Sequence, residues 1–281
     1  MIVWLRGHWQ QIFKVFVFSL AFAALFIVLY IYYGDNQNDW QRYFSQVFAH
    51  IQAPNKVEGF FNPPWTALLL AYGLLPLKIS NVIKLLLNIC MLLWAVFKVK
   101  GGWLGIVLTF ITPLFFDMAR VNPIDWIPLL GFLLPPIWGF PLMVTKPQTL
   151  GAAMLIKWKM EKFSLKPLIP LAIIIGGSFL IWGNWVNIKG PVSVLDTPQN
   201  FSFWPLGIPF GIILLIYSWR TNDELLAGAS TYLLIPYVAP YSMVCLLALL
   251  SGKHKKIAFA LYLGFLWFAV VEARRTGIHI F

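Results

Sequence analysis

A short polar segment, residues 39–43 with the sequence Asp-Trp-Gln-Arg-Tyr, follows the first apolar run of the chain, residues 12–33. The Asp39 carboxylate is a candidate general base towards a hydroxyl group, and the planar Arg42 guanidinium suits the oxygens of a phosphate. An ordinary solvated loop contains the same residue types. This segment alone therefore leaves catalysis and a plain loop both open.

A second polar group lies at the two ends of the proline-rich segment 122–146. Asn122 and Asp125 stand at one end, and Lys146 and Gln148 stand at the other. Lys146 is flanked by apolar sequence, and together with Gln148 it is a candidate to bind an anionic phosphate. Two structural explanations remain open: the Lys146 side chain extends to a membrane interface, or it forms a buried ion pair with Asp125.

Two further motifs combine prolines with polar or aromatic residues. Asn62 precedes a Pro-Pro pair at the start of an apolar run, where prolines suit the first turn of a helix. The uncharged stretch 225–251 has two prolines near its middle and basic residues on both flanks, so we predict that it enters the apolar region and returns. Tyr237 and Tyr241 would then lie at the turn.

The composition indicates the elements that must position these residues. The chain has 281 residues, of which 60% are hydrophobic and 11% charged, whereas a soluble domain carries about 25% charged residues. Apolar runs long enough to cross a hydrocarbon layer must be helical, because lipid offers the backbone no hydrogen-bond partners. The pattern predicts an all-α polytopic transmembrane helix bundle with about 8–10 membrane segments, including short re-entrant helices. The segments are expected near 12–33, 61–77, 81–97, 103–118, 124–144, 147–156, 167–182, 203–219, 225–250 and 257–273.

We predict a single integral membrane domain over residues 1–281. The segment 122–146 is broken by Pro128, Pro135, Pro136 and Pro141 and cannot be one continuous helix, so it is expected to be a re-entrant hairpin. Two polar stretches, 34–60 and 183–202, contain the Asn, Gln, Asp, Gly and Pro that are typical of loops. They are expected to lie on the outer side of the membrane.

The net charge is +11, but Lys and Arg occur in short clusters between apolar runs. This distribution follows the positive-inside rule and argues against a nucleic-acid partner. It predicts a multi-pass protein of a cytoplasmic (inner) membrane with a cytoplasmic N-terminus. Residues 61–97 must then cross the membrane once, through one bent and one crossing segment. An alternative with two crossings would place Lys98 and Lys100 outside.

The preferred arrangement brings the polar motifs to the same non-cytoplasmic side, where they would face one cavity. Charged groups at membrane depth are costly, so their presence there indicates function. The four histidines are scattered without ligand spacing, and we predict neither a metal site nor a cofactor. The residues expected to line the cavity are Tyr43, Asn62, Asn122, Asp125, Tyr237 and Tyr241.

The order of these motifs resembles the GT-C superfamily of polytopic membrane glycosyltransferases. The resemblance extends over residues 35–245 and rests on an early Asp followed by Tyr, a Pro-Pro pair, an Asn/Asp turn before an apolar hairpin, a Lys-Pro-Gln and a late Pro-Tyr. Within the superfamily, the chain is similar to the bacterial polyprenyl-phosphate-mannose-dependent mannosyltransferases. It is shorter than they are, has Asn122-Pro-Ile-Asp125 where Gly-Gln is usual, and is compressed between this motif and Lys146.

The resemblance implies that Asp39 is the catalytic base, which would deprotonate an acceptor hydroxyl as it displaces a lipid-linked phosphate from the anomeric carbon of a sugar. Lys146, with Arg42 and Gln148, would hold the departing phosphate, where charge develops in the transition state. A polyprenyl-phosphate sugar donor, with mannose as one candidate sugar, and membrane lipids are the implied partners.

The expected function is therefore transfer of a sugar to an acceptor at the outer membrane face. Two alternatives are a non-catalytic integral membrane subunit, which would use the 14 Trp and 24 Phe residues to pack against partner proteins, and a lipid or solute transporter. An enzyme requires Asp39 and Lys146 to meet, whereas a scaffold subunit would leave them exposed or tied up in local pairs. A transporter predicts repeats, and the sequence shows none.

Overall fold

A computed structural model describes residues 38–186 and 200–275, together with residues 13, 15 and 17–19. Most of the expected first span, 12–33, and parts of the expected loops 34–60 and 183–202 lie outside the described residues. Over the residues described, the protein is helical and contains no β-strand. The predicted all-α class is therefore confirmed.

Thirteen α-helices lie in the described part of the chain, and most are short because prolines and turns interrupt the apolar runs. Four 3₁₀ segments accompany them, at Phe44–Gln46, Pro54–Lys56, Pro64–Leu74 and Pro240–Ser242. The α-helices are α1 (Asp39–Arg42), α2 (Leu77–Lys98), α3 (Gly102–Phe110), α4 (Pro113–Val121), α5 (Trp126–Leu133), α6 (Pro136–Met143), α7 (Pro147–Leu150), α8 (Ala153–Met160), α9 (Leu168–Trp182), α10 (Ile208–Thr221), α11 (Glu224–Leu234), α12 (Met243–Leu250) and α13 (Lys255–Arg275).

The proline-rich segment 122–146 forms a helical hairpin, as predicted. Helices α5 and α6 pack against each other on either side of a turn at Leu134, whose backbone is extended before Pro135. The helices approach so closely that a Cβ atom on Gly139 would lie 2.2 Å from the Gly131 carbonyl oxygen. Only glycine permits this contact, so the hairpin depends on the two glycines.

The stretch 225–251 also turns back on itself. Helix α11 ends at Leu234, and α12 follows after the segment that contains Pro236 and Pro240. The two ends of the stretch meet, because Asp223 Oδ2 lies 2.6 Å from Lys253 Nζ and 2.8 Å from His254 Nε2. The chain therefore turns back as predicted, and its entry into a membrane stays a prediction.

Among the described residues, α2 is the one unbroken helix that is long and apolar enough to cross a membrane. Its 22 residues extend roughly 33 Å, which exceeds a hydrocarbon core of about 30 Å. Helices α3 and α4 together form a second candidate, although they bend by 59°. Helices α9 and α10 are apolar but shorter. The expected number of spans, about 8–10 from the hydropathy pattern, stays a prediction.

Helix α2 joins two polar regions: the site end, where Ser80 and Asn81 meet the α1 region, and the tip end, where Lys98 meets the turn between α5 and α6. At the site end, its first turns contact the α1 region: Trp40 Nε1 donates to Ser80 Oγ at 3.0 Å, and Asn38 Nδ2 donates to Asn81 Oδ1 at 3.1 Å. At the tip end, Lys98 Nζ donates to the Leu133 carbonyl beside the α5–α6 turn. A large apolar core lies between them.

The preceding apolar segment, Pro64–Leu74, is bent rather than continuous. It is a 3₁₀ segment that follows the extended Pro63 and is interrupted at Leu70, where the backbone leaves the helical conformation. The order over 61–97 is thus one bent segment and then one long helix, as the preferred arrangement requires. Which side of a membrane each end faces stays a prediction.

Candidate functional site

Asp125, Lys146 and Ser242 come from three distant segments and meet at the site end. Lys146 Nζ forms an ion pair with Asp125 Oδ1 and donates to Ser242 Oγ at 3.2 Å. The Ser242 hydroxyl in turn donates to Asp125 Oδ2 at 2.6 Å. All three residues are buried. Both carboxylate oxygens of Asp125 are therefore engaged, and the buried ion pair that the sequence left open is present.

Local structure explains how these three residues are presented. Asp125 immediately precedes α5, Lys146 immediately precedes α7, and Ser242 immediately precedes α12. A residue at the start of a helix has its position fixed by the helix, while its side chain remains free to point away from the helix axis. The starts of three helices, rather than a long loop, therefore position the three side chains.

Aromatic and amide groups enclose the ion pair. Lys146 Nζ lies 5.0 Å from the centre of the Tyr241 ring, within the range of a cation–π contact. The Tyr232 hydroxyl donates to the Ser242 carbonyl at 2.9 Å, and Asn62 Nδ2 donates to the Thr145 carbonyl at 2.8 Å. Of the expected lining residues, Tyr241 contacts Lys146 directly, and Asn62 bonds the residue before it.

Asp39 begins α1 and is half-buried. A capping box formed by Asn38 and Gln41 fixes this short helix: Gln41 N donates to Asn38 Oδ1 at 2.9 Å, and Asn38 N donates to Gln41 Oε1 at 3.3 Å. Burial raises the pKa of the Asp39 carboxyl above its usual 3.8. Such a carboxylate holds a proton more readily than an exposed one does.

Four charged side chains modify this effect of burial on Asp39. The positive charges of Lys146, Lys84 and Arg42 oppose the increase in its pKa, and the negative charge of Asp125 adds to it. Asp39 therefore shares one electrostatic environment with the Asp125–Lys146 pair. Asn81 Oδ1 accepts from both Asn38 Nδ2 and Asn122 Nδ2, so the segments that carry Asp39 and Asp125 are fixed to the same residue of α2.

A polar face of α2, which the sequence analysis did not identify, supports this region. Ser80, Asn81, Lys84 and Asn88 recur at helical spacing and are all buried. Lys84 is fully buried, and its Nζ donates to the Asn122 carbonyl at 2.7 Å. The signal was present in the sequence, because a stripe of polar residues at 81, 84 and 88 inside an apolar helix cannot all face lipid.

Asn122 organises the turn that leads to Asp125. It ends α4 in the left-handed conformation, with φ of 50°, which asparagine tolerates better than most residues. Its Nδ2 donates to Asn81 Oδ1 at 2.7 Å, and its Oδ1 accepts from Asn88 Nδ2 at 3.2 Å. Asn122 is thus a structural residue that fixes the hairpin to α2, rather than an open cavity lining.

The remaining predicted residues lie around this cluster with less direct roles. Tyr237 lies in the turn after α11, within range of the Asp39 and Asp125 charges. Gln148 is half-buried in α7, two residues beyond Lys146, and Arg42 is exposed at the end of α1. The Tyr43 ring lies so close to Gly59 that a Cβ there would be 2.6 Å from Tyr43 Cγ.

The cluster contains two carboxylates, Asp39 and Asp125, and two lysines, Lys84 and Lys146. Among these four groups, Asp125 and Lys146 are the pair in direct contact. Asp39 is more exposed than the other three and has the raised pKa of a group that can exchange a proton. The described residues contain no group of His, Cys, Asp and Glu that could hold a metal ion. The arrangement suits proton transfer beside a fixed positive charge.

Comparison with models of known protein families, with characterised proteins and with solved structures found no match for this chain.

Proposed function

We propose that this protein is an integral membrane glycosyltransferase of the GT-C type, which transfers a sugar from a polyprenyl-phosphate donor to an acceptor hydroxyl at the outer face of a cytoplasmic membrane. The observation that carries the proposal is a geometric link between the two predicted groups. Asn81 Oδ1 accepts hydrogen bonds from Asn38, beside Asp39, and from Asn122, in the turn before Asp125, and Asp125 pairs with Lys146. The resemblance implies that Asp39 is the base and that Lys146 binds the phosphate. In an unrelated fold, there would be no reason for the segments of these two residues to be linked.

The surface of the helices supports a membrane setting. Helix α9 contains no charged residue, and Ser178 is its one buried residue. Leu180 and Leu206 are 89% and 81% exposed, and Phe210 on α10 is 67% exposed. Water would have to cover this apolar area in a soluble protein, whereas lipid tails cover it at little cost. In a membrane, two short helices in series would then span the distance that the single helix α2 spans alone.

The proposed reaction is a substitution at the anomeric carbon of the donor sugar. The Asp39 carboxylate accepts the proton of the acceptor hydroxyl, whose oxygen forms the new bond to the anomeric carbon. The bond from that carbon to the phosphate oxygen breaks, and the polyprenyl phosphate leaves with the electron pair. Lys146, held by Asp125 and Ser242, stabilises the added negative charge. Arg42 and Gln148 contact the phosphate from the rim.

The raised pKa of Asp39 suits this role. A base must be deprotonated when it works, yet it must hold the proton once it has accepted it. Burial gives Asp39 the second property, while Lys146 and Lys84 keep the charged form accessible. The rate of transfer should therefore fall as the pH decreases through a value above 3.8, the usual pKa of an aspartate.

The test is a transfer assay on the protein in lipid nanodiscs, with radiolabelled polyprenyl-phosphate mannose as donor and a membrane glycan extract as acceptor. General-base catalysis contributes roughly 100- to 10,000-fold, so Asp39→Asn should lower turnover by at least about 100-fold. Asp117→Asn is the matched control. Asp117 is an acidic residue of α4 that pairs with the exposed Arg120, and its variant should retain the wild-type rate.

An Asp39→Asn protein that keeps the wild-type rate would contradict the role of Asp39. If the wild-type protein neither binds nor turns over donors with any of several sugars, the second candidate function leads. This candidate is a non-catalytic membrane subunit, and the direct Asp125–Lys146 contact favours it, since a lysine committed to a buried pair can be purely structural.

A further inference from the structure

Lys84 is the one fully buried lysine among the described residues, and the proposed reaction assigns it no role. Its Nζ lies 2.7 Å from the Asn122 carbonyl oxygen, 4.8 Å from the centre of the Trp40 ring and 5.3 Å from that of Phe44. Trp40 and Phe44 belong to the segment that carries Asp39. The Lys84 cation thus contacts the Asp39 segment on one side and the turn before Asp125 on the other.

The rest of the polar face of α2 repeats this double contact. On one side of Lys84, Ser80 and Asn81 accept hydrogen bonds from Trp40 and Asn38, at 3.0 and 3.1 Å. On the other side, Asn88 Nδ2 donates to the Pro123 carbonyl at 2.9 Å, and Asn88 Oδ1 accepts from Trp126 N at 3.2 Å. Helix α2 therefore fixes the distance between the start of α1 and the start of α5.

A purely structural explanation of Lys84 has to be considered, because Asn122 ends α4 and lysines commonly stabilise helix C-termini. Lys98, at the other end of α2, does this at the Leu133 carbonyl of α5. Lys84 differs in two respects. Its charge acts on Asp39, and it contacts two aromatic rings of the Asp39 segment.

We propose that Lys84 is a positioning residue of the active site: it clamps the Asp39 segment against the Asn122 turn and so holds Asp39 opposite the Asp125–Lys146 pair. The inference deepens the proposed function and rests on it. Positioning of this kind governs rate strongly, because a displacement of about 1 Å can lower a rate by roughly 100-fold.

The charge of Lys84 gives the clamp a measurable signature. Asp39 faces the charges of Lys146, Lys84, Asp125 and Arg42, and Lys84 faces those of Asp39, Asp125 and Lys146. Because Lys84 opposes the increase in the pKa of Asp39, its loss should raise that pKa further. The acid limb of the pH–rate profile should then move to higher pH.

The experiment compares Lys84→Met with Lys98→Met in nanodiscs. Methionine keeps an unbranched apolar chain of similar length, and both lysines lie on α2 and donate to a carbonyl at a helix end. Lys84→Met should lower kcat by roughly 10- to 100-fold and shift the acid limb upwards. Lys98→Met should leave the acid limb where it is. An unshifted acid limb in Lys84→Met overturns the proposal.

Two further measurements keep the test decisive. Isotope-edited infrared titration of the Asp39 carboxyl, assigned by its loss in Asp39→Asn, reports its pKa without any transfer reaction. An upward shift in Lys84→Met supports the clamp even if no donor is turned over, and no shift overturns it.

If Lys84→Met does not fold, Ser80→Ala removes the Trp40 bond without changing a charge. It should lower kcat with an unchanged acid limb, and a wild-type kcat would overturn the positioning role.

Discussion

At the tip end, three lysines donate to carbonyls near helix C-termini, whereas at the site end Lys146 pairs with a buried carboxylate from another segment. Lys98 and Lys157 reach the last two carbonyls of α5, and Lys159 reaches the Trp219 carbonyl near the end of α10. Helix C-termini leave carbonyls without partners and carry partial negative charge, so cations there have a local explanation.

Asp223 and Asp125 show the same contrast between the two ends. Asp223 precedes α11 and caps it, because its Oδ1 accepts from Leu225 N and Leu226 N at 3.2 Å each. Asp125 precedes α5 in the equivalent position but makes no capping bond from its side chain. Its oxygens bind Lys146 and Ser242 instead. Asp223 both caps its own helix and pairs with Lys253 and His254, whereas the side chain of Asp125 bonds distant residues without capping its helix.

The comparison distinguishes charged side chains that bond the backbone at helix ends from the Asp125–Lys146 pair, which does not. A buried ion pair stabilises a fold weakly, since desolvation offsets much of its attraction. At the tip end, Lys98, Lys157, Lys159 and Asp223 each also bond backbone groups at a helix end, in addition to the ion pairs that some of them form. At the site end, the pair sits where apolar residues would have packed at least as well. Such a cluster is a reason to look for chemistry there rather than for stability.

The largest expected difference between the two ends is in stability. Asp125→Ala leaves Lys146 buried without a counter-charge, which should lower the free energy of unfolding by about 3–5 kcal/mol. Asp223→Ala removes a helix cap and an ion pair with Lys253, which water screens because its side chain is 61% exposed, and should cost about 0.5–2 kcal/mol. Thermal unfolding in detergent micelles measures both. Equal losses at the two positions would mean that the site end is an ordinary ion pair.

A smaller difference is expected between the tightly packed hairpin and the exposed helix α9. Gly139→Ala places a Cβ against the backbone of Gly131 and should cost about 1–3 kcal/mol, because two helices must separate. Gly176→Ala meets nothing within 4 Å and should gain about 0.5–1 kcal/mol from helix propensity. The same unfolding measurement checks both variants. A destabilised Gly176→Ala protein would indicate that a partner covers this face of α9.

Some of this architecture could be predicted from the sequence because prolines and charges mark it. The prolines of 122–146 predict the hairpin, and the flanking basic residues predict the return of 225–251. The apolar run at 103–118 was expected as one segment, but Pro113 starts a new helix, and the chain bends there. Hydropathy detects apolar runs, but it does not detect the angle at which one helix gives way to the next.

The site could be predicted only where its residues lie next to a turn. Asp39, Asp125 and Lys146 stand beside prolines or loops and attract notice as isolated charges. Ser242 does not, because a serine in an apolar stretch has many ordinary roles, and its bridging position depends on how α12 packs. Lys84 was overlooked within the run 81–97, where only its spacing from Asn81 and Asn88 shows that it faces inwards.

The smallest expected effects are those of pH on stability, and they should have opposite signs at the two ends. Burial alone would raise the pKa of Asp223, but hydrogen bonds from Lys253, Leu226 N and His254 outweigh it and hold the pKa below 3.8. The stabilisation by Asp223 is therefore present above pH 3.8 and lost as the pH falls through the lowered pKa. Asp39 behaves in reverse, since its pKa is raised.

Between pH 3.8 and the raised pKa of Asp39, the folded protein binds a proton that the unfolded chain does not hold. Acidification through this window should therefore stabilise the fold relative to Asp39→Asn, whereas acidification below it should destabilise the fold relative to Asp223→Asn. Unfolding temperatures of the three proteins between pH 3 and pH 7, a range that brackets the usual aspartate pKa of about 3.9, test both signs. If Asp39→Asn parallels the wild-type protein throughout, the Asp39 carboxyl titrates like an exposed one, and the site end loses the property that distinguishes it from the tip end.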